Sequence, residues 1–170
     1  ISPRGFGSGT CWQTKASWTS YSVSYSFDVN FPETFKDSVH SAAAIWNNVT
    51  PSSFTFYYQE GSPNIISVGA LPGDDIAFTF AAPDDGLPLL IATTTLNWLK
   101  PLSTEIPVPA DTYNVATVML HEFGHWLRAL DMKDPMCADQ VMYEYYVTPG
   151  ELKLVLGIHD IEAINFQYPS

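Results

Sequence analysis

The residues best suited to chemistry are two histidines four positions apart with a carboxylate beside the first, namely His121, Glu122 and His125. On an α-helix, residues i and i+4 lie one above the other, so both imidazoles can reach one metal ion. Zinc suits this pair, because catalytic zinc binds neutral imidazole and keeps one position open for water. Glu122 stands where it can take a proton from that water. The pattern therefore predicts metal-assisted hydrolysis of a peptide bond.

The surroundings of the motif favour a buried helix. A solvated helix face carrying two histidines and a glutamate for no chemical reason is the alternative interpretation. Buried imidazoles and carboxylates are costly unless they are paired or bound to a metal, which favours the metal site. Large apolar residues precede and interleave with the motif: Val115, Val118, Met119, Leu120, Phe123, Trp126 and Leu127.

From this helix onward the chain resembles the metzincin metallopeptidases, whose motif reads HExxHxxGxxH or, in snapalysin-like members, HExxHxxGxxD. The string here is HEFGHWLRALD. The resemblance implies that His121, His125 and Asp131 bind zinc and that Glu122 is the general base. The clan has a glycine where this chain has Arg128. A left-handed conformation costs a non-glycine residue about 1 kcal/mol or more, so the turn is either rebuilt or strained.

Three further segments resemble parts of the matrixin branch. Met142, in the string VMY, matches the Met-turn beneath the metal, which implies a structural role. Residues 157–168 resemble the terminal helix, and residues 25–28 and 42–46 resemble the first strand and first helix. The resemblance implies an α/β (α+β) fold, with a twisted mixed sheet, an active-site helix, a backing helix and a C-terminal helix. It further implies one catalytic domain over 1–170, with a sheet subdomain at about 1–125 and a smaller subdomain at about 126–170.

Other residues compete for the place of third ligand. His159 is one, because histidine is the commoner third ligand in this clan. Glu144 and Glu151 are others, because some zinc peptidases take a glutamate from a second helix, although no long helix is evident around them.

Alternating apolar and small or polar residues predict strands at residues 21–29, 54–58 and 76–80. A threonine-rich run at 91–96 predicts another. The resemblance implies that this last strand forms the sheet edge along which an extended peptide substrate lies, while an ordinary edge strand without a ligand is the alternative.

Helical spacing of apolar residues over 35–46 predicts an amphipathic helix after Pro32, with His40 as a surface residue on its polar side. Asp111 or Thr112 is the predicted N-cap of the motif helix.

Composition limits the partners. A net charge of −11 argues against nucleic acid and anionic membranes, and no apolar run is long enough to span a bilayer. We expect a secreted monomer that binds a protein or peptide substrate in extended conformation. Cys11 and Cys137, the two cysteines, could form one disulfide in an extracellular protein. Calcium is a second candidate cofactor, at Asp74, Asp75, Asp84 and Asp85, although their spacing matches no calcium motif and favours solvated turn residues.

Two classes of function follow from the sequence. The first is a secreted zinc endopeptidase. The second is an inactive metzincin homologue that acts as a zinc-containing protein-binding module, an alternative opened by Arg128 and by Glu144, which stands where matrixins commonly have proline. The intact His121, Glu122 and His125 favour the enzyme.

Overall fold

Strands and helices alternate in the first part of the chain, and helices and loops form the last part. A computed structural model describes residues 5–6, 11–15, 17–71, 76–79, 89–92, 99–100 and 109–170. In the described part, no helix is long and apolar enough to cross a membrane. In chain order the elements are β1 (Gly5–Phe6), β2 (Gln13–Thr14), β3 (Ser22–Phe27), α1 (Glu33–Asn47), β4 (Thr55–Tyr58), β5 (Ile65–Gly69), β6 (Ala77–Thr79), β7 (Leu89–Ala92), β8 (Leu99–Lys100), β9 (Tyr113–Asn114), α2 (Val115–Trp126), a 3-10 helix (Pro135–Cys137) and α3 (Ile158–Gln167).

The main sheet is mixed, with the strand order β4-β3-β5-β7-β6. Its first four strands are parallel, and β6 runs antiparallel to β7. The predicted mixed sheet is confirmed, but the predicted edge is wrong. Ile91 lies in β7, where it pairs with Val68 of β5 on one side and with Ala77 of β6 on the other. Among the described strands the edge on this side is β6, and residues 93–96 of the predicted strand lie outside the described residues.

Helices α1 and α2 pack on the same face of the sheet. Tyr25 of β3 contacts both, since its ring lies 5.7 Å from that of His40 and 5.5 Å from that of Phe123. The two helices are joined directly by Trp46, whose indole N–H donates to the carbonyl of Leu120 over 2.9 Å. Aromatic burial of this kind holds α2 firmly against the sheet. The motif on α2 is therefore carried by a rigid element.

The start of α2 differs from the prediction. Asn114, not Asp111 or Thr112, is the N-cap, and its side chain accepts a hydrogen bond from the backbone N–H of Thr117 at 3.2 Å. The helix starts later because Tyr113 and Asn114 remain extended in β9, paired with β8. An asparagine at this position satisfies an N–H that the helix itself leaves unpaired.

His40 is also placed differently. It is half-buried rather than a surface residue, and its Nδ1 lies 2.5 Å from the hydroxyl of Tyr25. The rings of Phe27 and Tyr58 lie 5.5 and 5.7 Å from it. Burial lowers the pKa of His40, although the charge of Asp37 acts in the opposite direction. This histidine belongs to an aromatic cluster between α1 and the sheet.

The N-terminal segment is fastened to the chain that follows α2. Thr14 forms an antiparallel bridge with Ala129, and the N–H of Leu130 donates to the carbonyl of Gln13 over 2.9 Å. Cys11 and Cys137 form a disulfide with their Cα atoms 5.7 Å apart. A cross-link over 126 residues restricts the unfolded chain, and such a disulfide typically stabilises a small domain by about 2–5 kcal/mol.

Candidate metal centre

Three side chains predicted as ligands meet at one point beside α2. The Oδ1 of Asp131 lies 3.2 Å from the Nε2 of His121 and 3.4 Å from the Nε2 of His125. The three ligand atoms all lie within 4.8 Å of one another. Spacing on the helix brings the imidazoles together, and the turn after the helix returns the carboxylate to them. The group could hold a metal ion.

Each imidazole is oriented by its other ring nitrogen. The Nδ1 of His121 donates to the carbonyl of Val141 over 2.7 Å, and that of His125 donates to the carbonyl of Ala129 over 3.0 Å. A carbonyl can only accept, so Nδ1 carries the proton in both rings and Nε2 is left for the ligand position. Metal-bound histidines are commonly held by such outer hydrogen bonds. The donor set, two imidazole nitrogens and a carboxylate oxygen, fits zinc.

The pKa values of Asp131 and His125 are shifted by the interaction between these two groups. Burial raises the pKa of Asp131, but hydrogen bonds from His121 and His125 outweigh it and hold that pKa well below its usual range. Burial lowers the pKa of His125, but the hydrogen bond to Asp131 and the charge of Glu122 outweigh it, so the pKa is raised. In the metal-free protein His125 is therefore more readily protonated than a free imidazole.

A pH dependence of metal binding follows from this shift. Zinc needs a neutral Nε2, so binding expels a proton wherever His125 is charged, whereas Asp131 is already ionised. The dissociation constant for zinc should rise by about tenfold per pH unit as the pH falls below the raised pKa of His125, and level off above it. Competition with a chromophoric chelator at a series of pH values measures this. An affinity that stays constant from the acid range to neutrality would contradict the assignment of His125 as a ligand.

The chain makes a left-handed turn after α2 although it has Arg128 where such turns usually have glycine. Arg128 adopts a left-handed conformation with φ of 71°. Its N–H donates to the carbonyl of His125 over 2.9 Å, and the N–H of Ala129 donates to that of Gly124 over 3.1 Å. This pair of bonds is the Schellman arrangement that usually has glycine at this position. The guanidinium lies 4.5 Å from the ring centroid of Trp18, a cation–π contact that offsets part of the strain. Of the two alternatives, a rebuilt turn and a strained one, the structure has the strained one.

Met142 lies directly beneath the motif. It is fully buried, and a Cβ placed on Gly124 would come within 2.1 Å of its sulfur. Only a glycine at this point of α2 lets the methionine pack so closely. Met142, the residue predicted to form the Met-turn, thus packs directly against α2 at Gly124.

Asp160, on the first turn of α3, holds the backbone at Val141 and Met142 in place. Its carboxylate accepts from the backbone N–H groups of Val141 at 2.7 Å, Met142 at 3.1 Å and Gly157 at 2.8 Å. Burial raises the pKa of this fully buried group, and the three N–H donors act in the opposite direction. Sequence reasoning gave Asp160 no role. The available signal was an acidic residue at the third position of a helix that begins after Gly157.

Glu122 forms part of an open cleft beside the three ligands. The cleft has a volume of about 410 Å³. The residue is buried, and its Oε2 accepts a hydrogen bond from the hydroxyl of Thr79 on β6 over 2.5 Å. Thr79 is a second residue that the sequence did not indicate. The described residues that line the cleft are Lys15, Ala77, Thr79, His121, Glu122, His125, Arg128, Ala129, Leu130 and Asp131.

The competing ligands have other partners. The Nδ1 of His159 lies 3.0 Å from a carboxylate oxygen of Glu162. The two glutamate candidates form ion pairs: Glu144 lies 3.9 Å from Lys133, and Glu151 lies 2.7 Å from Lys153. Within the described residues, the one group of three side chains arranged to hold a metal ion is His121, His125 and Asp131. The calcium candidates Asp74, Asp75, Asp84 and Asp85 lie outside the described residues.

No known protein-family model matches this sequence.

Proposed function

We propose that this chain is a zinc-dependent endopeptidase of the metzincin clan, in which His121, His125 and Asp131 bind the metal. The observation that carries the proposal is the position of Glu122, a buried carboxylate that faces the same cleft as the three ligand side chains. A metal site that served structure alone would need a closed shell and no adjacent base. The side chain of Asp131 is 42% exposed, so the ligand group is open to the cleft.

Each residue of the site has a separate role in the proposed hydrolysis. Bound zinc supplies Lewis acidity, which polarises the scissile carbonyl and acidifies water. Glu122 accepts the proton of the attacking water and then delivers it to the nitrogen of the leaving amine. Thr79 engages Oε2 of Glu122, so that Oε1 is the oxygen left to carry the proton. Met142 packs beneath the ligands and supports their geometry.

Strand β6 is the part of the chain that would hold the substrate. It is antiparallel to its neighbour, lies at the edge of the described sheet and contributes Ala77 and Thr79 to the cleft. An edge strand offers unpaired backbone groups that bind an extended peptide whatever its sequence. This role replaces the one predicted for residues 91–96. Secretion is part of the proposal, and the disulfide between Cys11 and Cys137 is compatible with an extracellular protein.

Metal removal tests the proposal. The protein should cleave an unfolded protein substrate, lose the activity after dialysis against a chelator, and regain it when about one equivalent of zinc is added. Magnesium or calcium alone should not restore cleavage, because these ions prefer all-oxygen ligands. A folded protein that binds zinc but cleaves nothing would favour the alternative function, a zinc-containing binding module.

Thr79 should act as a positioning residue for Glu122. Thr79→Val keeps the shape of the side chain and removes the hydroxyl that donates to Oε2. A hydrogen bond to a charged group is typically worth about 1.5–3 kcal/mol, so we expect kcat to fall by about tenfold or more with little change in KM.

The matched variant is Thr79→Ser, which retains the hydroxyl and should keep most of the activity. Steady-state kinetics across pH measures both, and the acid limb of the profile should shift in Thr79→Val alone, because this limb reports the ionisation of the base. Equal kinetics for Thr79→Val and the wild type would overturn this role.

A further inference from the structure

Lys15 brings a positive charge to the cleft from a distant part of the chain. Its backbone is fixed at both ends, since its N–H donates to the carbonyl of Arg128 over 2.8 Å and its carbonyl accepts from the side chain of Gln167 at 2.6 Å. Its side chain is half-buried and lines the cleft together with Glu122 and Asp131. The position of this residue is therefore set by two elements, the segment that carries the third ligand and the end of α3.

The ammonium of Lys15 differs in its partners from the ammonium groups of the other lysines whose side chains the structure describes. Each of those has an acidic partner: Lys36 with Glu33 at 2.6 Å, Lys133 with Glu144 at 3.9 Å and Lys153 with Glu151 at 2.7 Å. Among the described residues, no carboxylate lies within 4.0 Å of the Lys15 ammonium. In a chain of net charge −11, a lysine beside the cleft with no carboxylate partner in the described part of the structure is an exception.

Three other charged groups of the cleft are already engaged. Arg128 packs over Trp18, and Glu122 accepts from Thr79. Asp131 lies against the two histidines. Lys15 is thus the cationic side chain of the described cleft best placed to meet a ligand. A lysine ammonium has three donors and binds carboxylates through charge-assisted hydrogen bonds.

We propose that Lys15 makes this site selective for peptides that carry a carboxylate close to the scissile bond. The inference rests on the proposed peptidase function and names its substrate class. The carboxylate belongs either to an aspartate or glutamate side chain or to the free C terminus of a short peptide. Both sources present the same group to the ammonium. The negative charge of the protein repels such substrates at long range, so the local contact is what selects them.

Paired fluorogenic peptides test the proposal with the zinc-loaded protein. Each pair differs only by glutamate against glutamine at one position, the position is moved along both sides of the scissile bond, and each peptide is made as the free acid and as the C-terminal amide. At one position, or for the free acids, kcat/KM should favour the carboxylate by about tenfold. The preference should weaken as salt is added, because part of the attraction is screened.

Variants at Lys15 decide whether this residue is responsible. Lys15→Met keeps an unbranched side chain of similar length and should bring the ratio close to one. Lys15→Arg should keep the preference, and Lys15→Glu should reverse it toward the glutamine peptides. Lys36→Met makes the same change in net charge on α1, outside the described lining of the cleft, and should keep the wild-type ratio. Thermal melting of each variant verifies that it is folded.

The outcomes separate this inference from the proposed function. Cleavage that depends on Glu122 but shows no carboxylate preference, or a preference that Lys15→Met retains, would overturn the role of Lys15 and leave the peptidase intact. No cleavage of any peptide by the zinc-loaded wild type would overturn both. A preference seen in the free acids but not in the internal glutamates would identify the C terminus as the source of the carboxylate.

Discussion

Replacing His125 with alanine should abolish zinc binding and reduce peptide cleavage to background. Its Nε2 is one of three ligand atoms that lie within 4.8 Å of one another, and no other described group of three side chains is arranged to take its place. Removing only an outer hydrogen bond from a metal-bound histidine costs about 10–100-fold in affinity, so loss of the ligand itself should exceed about 100-fold. Metal analysis after gel filtration, together with initial rates on one peptide, measures both effects.

His159 provides the matched control for this variant. This residue is the histidine that the sequence offered as an alternative third ligand. In the structure its imidazole pairs with Glu162. His159→Ala should keep about one zinc per chain and most of the activity. Zinc loss in His159→Ala with retention in His125→Ala would contradict the assignment of the site. The comparison works because both variants remove one imidazole from the same protein.

Truncating Asp160 should produce the largest loss of stability. Asp160→Ala would leave three N–H groups without this acceptor, the buried ones of Val141 and Met142 and the half-buried one of Gly157. Each unpaired buried donor costs about 1–3 kcal/mol, so we expect the free energy of unfolding to fall by about 3–5 kcal/mol. Because Val141 accepts the hydrogen bond from His121, zinc affinity should fall as well. Urea denaturation of the metal-free and zinc-loaded forms measures the two effects separately.

Two variants bracket this prediction. Asp160→Asn retains one acceptor oxygen and should lie between the wild type and Asp160→Ala. Asp37→Ala removes an exposed aspartate from α1 and should change the stability by less than about 0.5 kcal/mol. If Asp160→Ala unfolded at the wild-type urea concentration, Asp160 could not be what supports the backbone at Val141 and Met142.

Local patterns in the sequence predicted much of the fold. The strands around Val23 and Phe56, the helix that carries Trp46 and the buried helix that carries His121 all follow from periodicity of apolar residues. The first residue of α2 was predicted too early in the chain, because Asn114 remains extended in β9 before it caps the helix. Residues 91–96 could not be assigned to the interior or the edge of the sheet from sequence, since strand order depends on pairing between distant segments.

The candidate site shows the same division between local and distant residues. The sequence indicates three of the residues, His121, Glu122 and His125, because they are closely spaced on one helix. Asp131 follows shortly after the end of that helix. Asp160, Thr79 and Lys15 have no such signal, because each reaches the site from another element. The buried place of His40 among aromatic rings was hidden for the same reason. Only the packing of these elements brings the residues together.

Cleavage profiling by mass spectrometry tests the zinc-peptidase assignment most directly. The zinc-loaded wild type and zinc-loaded Glu122→Ala are incubated with the same peptide library, and new termini are counted in each. We predict cleavage by the wild type and a loss of about 100-fold or more in Glu122→Ala, which should still bind about one zinc, since Glu122 is a base and not a ligand. Cleavage that persists in Glu122→Ala, or no cleavage by a folded wild type that contains zinc, would contradict the assignment.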